Sequence, residues 1–193
     1  MSLQKNNLSD NQLVDLCQKG ELDVFSILYE RYIDAIYRFV YMKVFEVPLA
    51  EDITSDIFFK ILKKIDSYEI DWKASFKTWI YTIAQNTVID FFRTKKESHN
   101  LEEIIDSAFV QDDFWQDIDN KDRLQKVLAF LDTQTPKTKE IVIMRFWDDL
   151  SFKEISQITW ESVDNCKKIV SRTLKKMDVP FLLFLLTLIF IKI

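Results

Sequence analysis

The segment Phe76-Lys-Thr-Trp-Ile-Tyr-Thr-Ile-Ala-Gln-Asn-Thr-Val-Ile-Asp-Phe-Phe-Arg93 reads as helix from end to end. Phe76, Trp79, Ile80, Ile83, Ala84, Val88 and Phe91 recur at three- and four-residue intervals, the repeat of a helix with one buried face. A strand alternates its faces every second residue and does not fit. The pattern predicts a helix from about Lys73 to Thr94, with Phe76, Trp79 and Phe91 in the core. Asn86, Asp90, Arg93, Lys95 and Lys96 fall off the buried stripe.

Three more helical patterns precede it. Residues 9 to 19 open with Ser9-x-x-Gln12, a capping box, and stop at Gly20, a C-terminal cap. From Leu22 to about Phe45, the residues Phe25, Leu28, Tyr29, Tyr32, Ile36, Phe39 and Val40 keep helical spacing. Val47-Pro48 breaks that run, and proline suits the first turn of the next helix. There Ile53, Ile57, Phe58, Ile61, Leu62 and Ile65 mark a buried stripe, with Asp52 and Asp56 on the opposite face.

Composition agrees. The chain of 193 residues is 48% hydrophobic and 30% charged, room for one or two globular domains. Gly20 is the only glycine and there are three prolines. Sheets and phosphate-cradling loops need residues that tolerate positive φ, so an all-α fold is expected and glycine-rich nucleotide fingerprints are excluded. Cys17 and Cys166 stand far apart without metal-ligand spacing, and no secretory signal opens the chain, so a reducing cytoplasm is the expected compartment. His99 is the only histidine and sits in a polar stretch, a poor catalytic base. No enzyme, metal or cofactor is expected. The formal net charge of −5 counts against a nucleic-acid binder only if charge is spread evenly.

It is not. Between Glu97 and Asn120 stand eight acidic residues, among them Glu102, Glu103, Asp112, Asp113, Asp117 and Asp119, with no lysine or arginine. Charge of one sign self-repels and favours a linker, so a domain boundary is expected at 97–120. Beyond it Leu124, Val127, Leu128 and Leu131 give one helical stripe. Thr135-Pro136 starts another helix, and Ser151-Phe-Lys-Glu154 is a capping box for a short third. Ser162 caps a fourth, about 163 to 177, with Lys167, Lys168, Arg172, Lys175 and Lys176 against the single acid Asp164. Two helices joined by a short turn, the second basic, form the helix-turn-helix layout. Phe152, Ile155, Ile158, Val170, Leu174 and Cys166 are its expected core.

Four strings carry a resemblance to the extracytoplasmic-function sigma factors of the sigma-70 family. Asp23-Val-Phe-Ser-Ile-Leu-Tyr-Glu-Arg-Tyr32 with Tyr37-Arg38-Phe39 resembles the opening of their second region. Leu49-Ala-Glu-Asp-Ile-Thr-Ser-Asp-Ile-Phe-Phe-Lys60 resembles their polymerase-binding helix, and 76–93 their promoter-melting helix. Thr138-Lys-Glu-Ile-Val-Ile-Met-Arg-Phe-Trp-Asp-Asp-Leu-Ser-Phe-Lys-Glu-Ile-Ser156 resembles the fourth region. The chain departs from the family at Ser55-Asp56, where Gln-Glu is usual. It departs again in the turn Thr159-Trp-Glu-Ser162, which normally carries a glycine, and at the start of the recognition helix, Asp164-Asn-Cys-Lys-Lys-Ile169.

The resemblance implies two small helical domains, 9–96 and 121–177, joined by an acidic linker, with core RNA polymerase, promoter DNA and an anti-sigma factor as partners. It implies polymerase contacts at Asp52, Ser55, Asp56 and Phe59. Contacts to the −10 element are implied at Trp72, Lys73, Asn86, Asp90, Arg93, Lys95 and Lys96. Contacts to the −35 element are implied at Ser162, Asp164, Asn165, Lys167, Lys168, Arg172, Lys175 and Lys176. Melting needs unstacked bases to be captured and single strands held by stacking and phosphate contacts. Two alternatives stand beside this reading: a helix-turn-helix regulator that never binds polymerase, and a membrane-associated helical module.

The tail, residues 178–193, does not belong to the resemblance. Val179 to Ile191 is an apolar run of thirteen residues, about 20 Å as a helix against a hydrocarbon core of roughly 30 Å. A hydrophobic docking segment on this protein or a regulator is the first expectation, beside an interfacial membrane contact or the remnant of a longer membrane segment.

Overall fold

The computed structural model describes residues 5, 7–69, 75–98, 127 and 129–177, and among them helices and turns occur without a strand. The chain divides into two compact units, with the division between Val110 and Gln111.

In the first unit α1 spans Asp10–Gln18, and the expected capping box is formed: the Ser9 N–H donates to Gln12 Oε1 at 2.8 Å while Ser9 Oγ accepts from the Gln12 N–H. Gly20 follows the helix at φ 94°, a conformation costly for any residue with a Cβ. A short 3₁₀ turn, Leu22–Val24, leads into α2, Phe25–Val44. The Arg31 guanidinium donates to Asp10 at 2.7 Å and the Tyr32 hydroxyl bonds the same carboxylate, tying α2 to α1. With no glycine available, Phe45 closes α2 in the left-handed region at φ 54°. Pro48 lies in the first turn of α3, Val47–Lys64.

Helix α3 packs against both α2 and α4, Phe76–Ser98. Ile53, Ile57, Phe58 and Ile61 are buried between them, but Leu62 is 37% exposed on the margin of the stripe. Its expected burial is therefore corrected. Phe39 meets Tyr81 edge-on at 5.2 Å, joining α2 to α4. Phe76 is buried, whereas Trp79 and Phe91 are only partly covered. Trp79 lies over the outside of the core, 5.6 Å from Phe76 and 5.1 Å from Tyr68 between ring centroids. Helix α4 also runs past Thr94 to Ser98, so the start of the expected linker at Glu97 is still helical.

In the second unit Val127 and 129–132 are helical, followed by α5, Pro136–Phe146, α6, Phe152–Thr159, and α7, Val163–Lys176. Each cap expected from the sequence is made. Thr135 accepts from the Thr138 N–H, Ser151 pairs reciprocally with Glu154, and Ser162 accepts from the Asn165 N–H at 3.1 Å. Leu131, Ile141, Met144, Leu150, Ile155, Ile158, Cys166 and Val170 fill the core where α5, α6 and α7 meet. Phe152 and Leu174 are half-buried rather than enclosed. The Arg145 guanidinium lies 5.3 Å from the Phe152 ring centroid and gives that ring a polar neighbour instead of a core one. The acidic stretch from His99 to Asn120, Leu124, Leu128 and the tail 178–193 lie outside the described residues.

Candidate functional surfaces

Burial of Ile53, Ile57 and Ile61 turns the other side of α3 outward, and the structure brings Asp52, Ser55, Asp56 and Phe59 together there, all exposed. Asp56 is bound to Lys60 at 2.7 Å, and Lys60 reaches across to the Thr87 hydroxyl of α4 at 3.3 Å. Phe59 is 55% exposed with the Lys63 ammonium 4.1 Å above its ring. Leu62 and Lys63 extend this surface, and sequence reasoning missed both. Lys63 was signalled by its four-residue spacing from Phe59, while Leu62 was hidden by its apparent place in the buried stripe.

On α4, Asn86, Asp90 and Arg93 are exposed and share one face, with Arg93 paired to Asp90 at 3.1 Å. Ile89, also missed, is exposed on that face, and Phe92 is exposed beside it. The Lys95 ammonium stands 5.7 Å from the Phe91 ring centroid. Lys96 belongs to α4, but the described residues do not include its side chain; Trp72 and Lys73 lie outside them altogether. The surface thus mixes apolar side chains with hydrogen-bonding and cationic ones, the combination that single-stranded nucleic acid needs.

Helix α7 buries Cys166, Val170 and Thr173 and exposes Asp164, Asn165, Lys167, Lys168, Arg172, Lys175 and Lys176, with Ser162 exposed at its cap. Five cations on one exposed helix form the basic surface that the net charge conceals. At its N-terminal end the Asn165 amide donates to Glu161 Oε2 at 2.7 Å, and Lys137 of α5 pairs with Glu161 Oε1 at 3.2 Å. The hydrogen bond from Asn165, together with the bond and charge of Lys137, holds the Glu161 carboxyl below the usual carboxylate range. Trp160 occupies the turn before α7 at φ 61° and is 82% exposed. Burial pushes the thiols of Cys17 and Cys166 up, so both are inert packing groups. Among the described residues no group of three or more His, Cys, Asp or Glu side chains is placed to hold a metal ion.

Residues 28–98 match the family Sigma-70 region 2, and residues 124–177 match Sigma-70, region 4. The chain is 28% identical over 172 residues to the ECF RNA polymerase sigma factor BldN of Streptomyces coelicolor, an alignment covering 86% of this chain and 63% of BldN. It is 29% identical over 169 residues to the ECF RNA polymerase sigma factor SigW of Bacillus subtilis, covering 80% of this chain and 87% of SigW. The fold is also that of the sigma factor RpoE in its complex with the anti-sigma factor NepR from Bartonella quintana. That match has a TM-score of 0.59 at 20% identity, covering 84% of this chain and 96% of RpoE. With Sigma-70 region 2 and region 4 matched in that order along its length, the chain belongs to the sigma-70 family, as a sigma factor of the extracytoplasmic-function type, which directs RNA polymerase to promoters and is not an enzyme.

Proposed function

We propose that residues 9–96 grip core RNA polymerase and open the −10 element, and that residues 121–177 hold the −35 element, with 97–120 as the acidic tether between them. The observation that carries this division of labour is the exposed cationic face of α7, set at the end of a helix-turn-helix. Its N-terminal turn, with Asn165, Lys167 and Lys168, reads base edges in the major groove, and Arg172, Lys175 and Lys176 hold phosphates. On α3, Asp52, Ser55, Asp56 and Phe59 meet basic and apolar groups of the polymerase. Each charged contact contributes about 1–3 kcal/mol if desolvated and close to nothing at the rim. On α4, Asn86 hydrogen-bonds an unstacked base, while Arg93, Lys95 and Lys96 hold the backbone.

Run-off transcription with core polymerase and genomic promoter fragments tests this. Promoter-specific transcripts that require the chain are the expected result. A helix-turn-helix regulator that acts apart from the polymerase would bind DNA but neither co-purify with core enzyme nor programme initiation.

A regulator of the anti-sigma class, such as the one RpoE of Bartonella quintana carries in its complex, is the partner we propose for holding the chain inactive. We place the work of the chain in the cytoplasm. Among the described residues no helix is long and apolar enough to cross a membrane, and the apolar run from Val179 to Ile191 is proposed as a hydrophobic docking segment. Sedimentation of the full chain with vesicles would overturn docking on protein in favour of lipid.

A further inference from the structure

Asn165 lies on the first turn of α7, exposed, where a helix-turn-helix addresses base edges. A free asparagine amide can turn either end toward a base. Here it cannot. A carboxylate only accepts hydrogen bonds, so the end of the amide facing Glu161 Oε2 at 2.7 Å is its nitrogen. Glu161 is itself fixed by two further groups. Lys137 pairs with its other oxygen at 3.2 Å while also donating to the Thr159 carbonyl at 3.1 Å, and the Ser156 hydroxyl donates to the Glu161 carbonyl at 2.6 Å. Ser162 holds the Asn165 backbone N–H at 3.1 Å.

We infer that Glu161, braced by Lys137, is a positioning residue that sets Asn165 to read an adenine in the −35 element. With one amide hydrogen given to Glu161, Asn165 presents Oδ1 as an acceptor and one remaining N–H as a donor. Adenine offers the complement in the major groove: its N6 amino group donates and its N7 accepts. Guanine offers two acceptors, N7 and O6, so its O6 would oppose Asn165 Oδ1 with the Glu161 carboxylate behind it. The clamp therefore favours adenine and penalises guanine at one position. Lys137 offsets the charge of Glu161, so the acid does not repel the neighbouring phosphates. This inference rests on the reading of α7 as the −35 helix.

The test uses the full chain with core polymerase and a promoter library randomised across the −35 element, with base preference read at each position. The unsubstituted protein should prefer adenine at one position, and Asn165→Ala should lower that preference there by about tenfold, the scale of one bidentate contact. Glu161→Ala should lower preference at the same position only, and Glu161→Ala with Asn165→Ala together should do no more than Asn165→Ala alone. Glu161→Gln should keep most of the preference, because its amide oxygen still accepts from Asn165. A merely structural role would weaken all positions together and would not be rescued by glutamine. If Glu161→Ala does not fold, Lys137→Met decides: partial loss at the Asn165 position supports the clamp, and unchanged preference overturns it. The clamp is also overturned if the Asn165 position prefers guanine or if Glu161→Ala acts elsewhere. If α7 does not read DNA at all, the unsubstituted chain shows no −35 preference and Arg172→Ala leaves promoter binding unchanged, an outcome distinct from a silent Glu161.

Discussion

Asp56 is bound to Lys60 at 2.7 Å on the outer face of α3, and Lys60 continues to the Thr87 hydroxyl of α4. The pair is partly exposed and screened by solvent, so its contribution to folding is small, about 0.2–1 kcal/mol. Asp56→Ala should leave the melting temperature nearly unchanged and weaken binding to core polymerase about tenfold, an effect measurable by fluorescence titration. Phe59→Ala should behave alike, because half of that ring faces solvent. Ile57→Ala, one turn away from Ile53 and wholly buried, should instead destabilise the unit by about 2–5 kcal/mol.

The cations of α7 make a different kind of prediction. Arg172 is exposed and lies beyond the first turn of α7, and the proposed −35 contact assigns it to phosphate. Arg172→Ala should weaken binding of the polymerase complex to all promoter sequences alike, and should reduce the salt dependence of binding by about one unit in slope. Titration at several salt concentrations checks this, and a change confined to one promoter sequence would contradict it.

Cys17 and Cys166 are buried, and burial raises both thiols above their ordinary value. A thiol must ionise to react, so neither should be modified by a thiol reagent at neutral pH while the chain is folded. Both should react at once in denaturant, in the ratio of two thiols per chain. The raised values also carry a sign: their contribution to stability is present below the ordinary thiol range and is lost as pH rises through the folded values.

The Glu161 carboxyl is held below its ordinary value by Asn165 and Lys137. Its contribution to stability is therefore present above the ordinary carboxylate range and is lost as pH falls through the lowered folded value. Thermal melts of the unsubstituted chain and Glu161→Gln should differ by a constant amount near neutrality, and the difference should vanish in acid. A difference that grew in acid would reverse the assignment.

How much was legible differs from element to element. Ser9 with Gln12, Thr135 with Thr138, Ser151 with Glu154 and Ser162 with Asn165 each lie three residues apart, so the caps could be read from the chain directly. The short turn at Leu22–Val24 was not separable from α2, because both obey the same apolar spacing. Asp52, Asp56 and Phe59 were identifiable through a family pattern, since an exposed acidic helix face by itself is ordinary. Ile89 matched no such pattern, Leu62 was hidden in the apparent buried stripe, and Lys63 was marked only by its spacing from Phe59.

Periodicity and capping are local, spanning one or two turns, and they were enough to find the helices of the described residues, among them the basic helix α7. How far each stripe is covered is another matter. Leu62, Trp79, Phe91, Phe152 and Leu174 all keep the spacing of buried residues, yet none of them is fully buried. Nor does any local period tell that Lys137 on α5 meets Glu161 before α7, or that the Asn165 amide is thereby committed. Those facts depend on how helices distant in sequence dock, and side-chain direction across such a contact follows from packing and not from spacing along the chain.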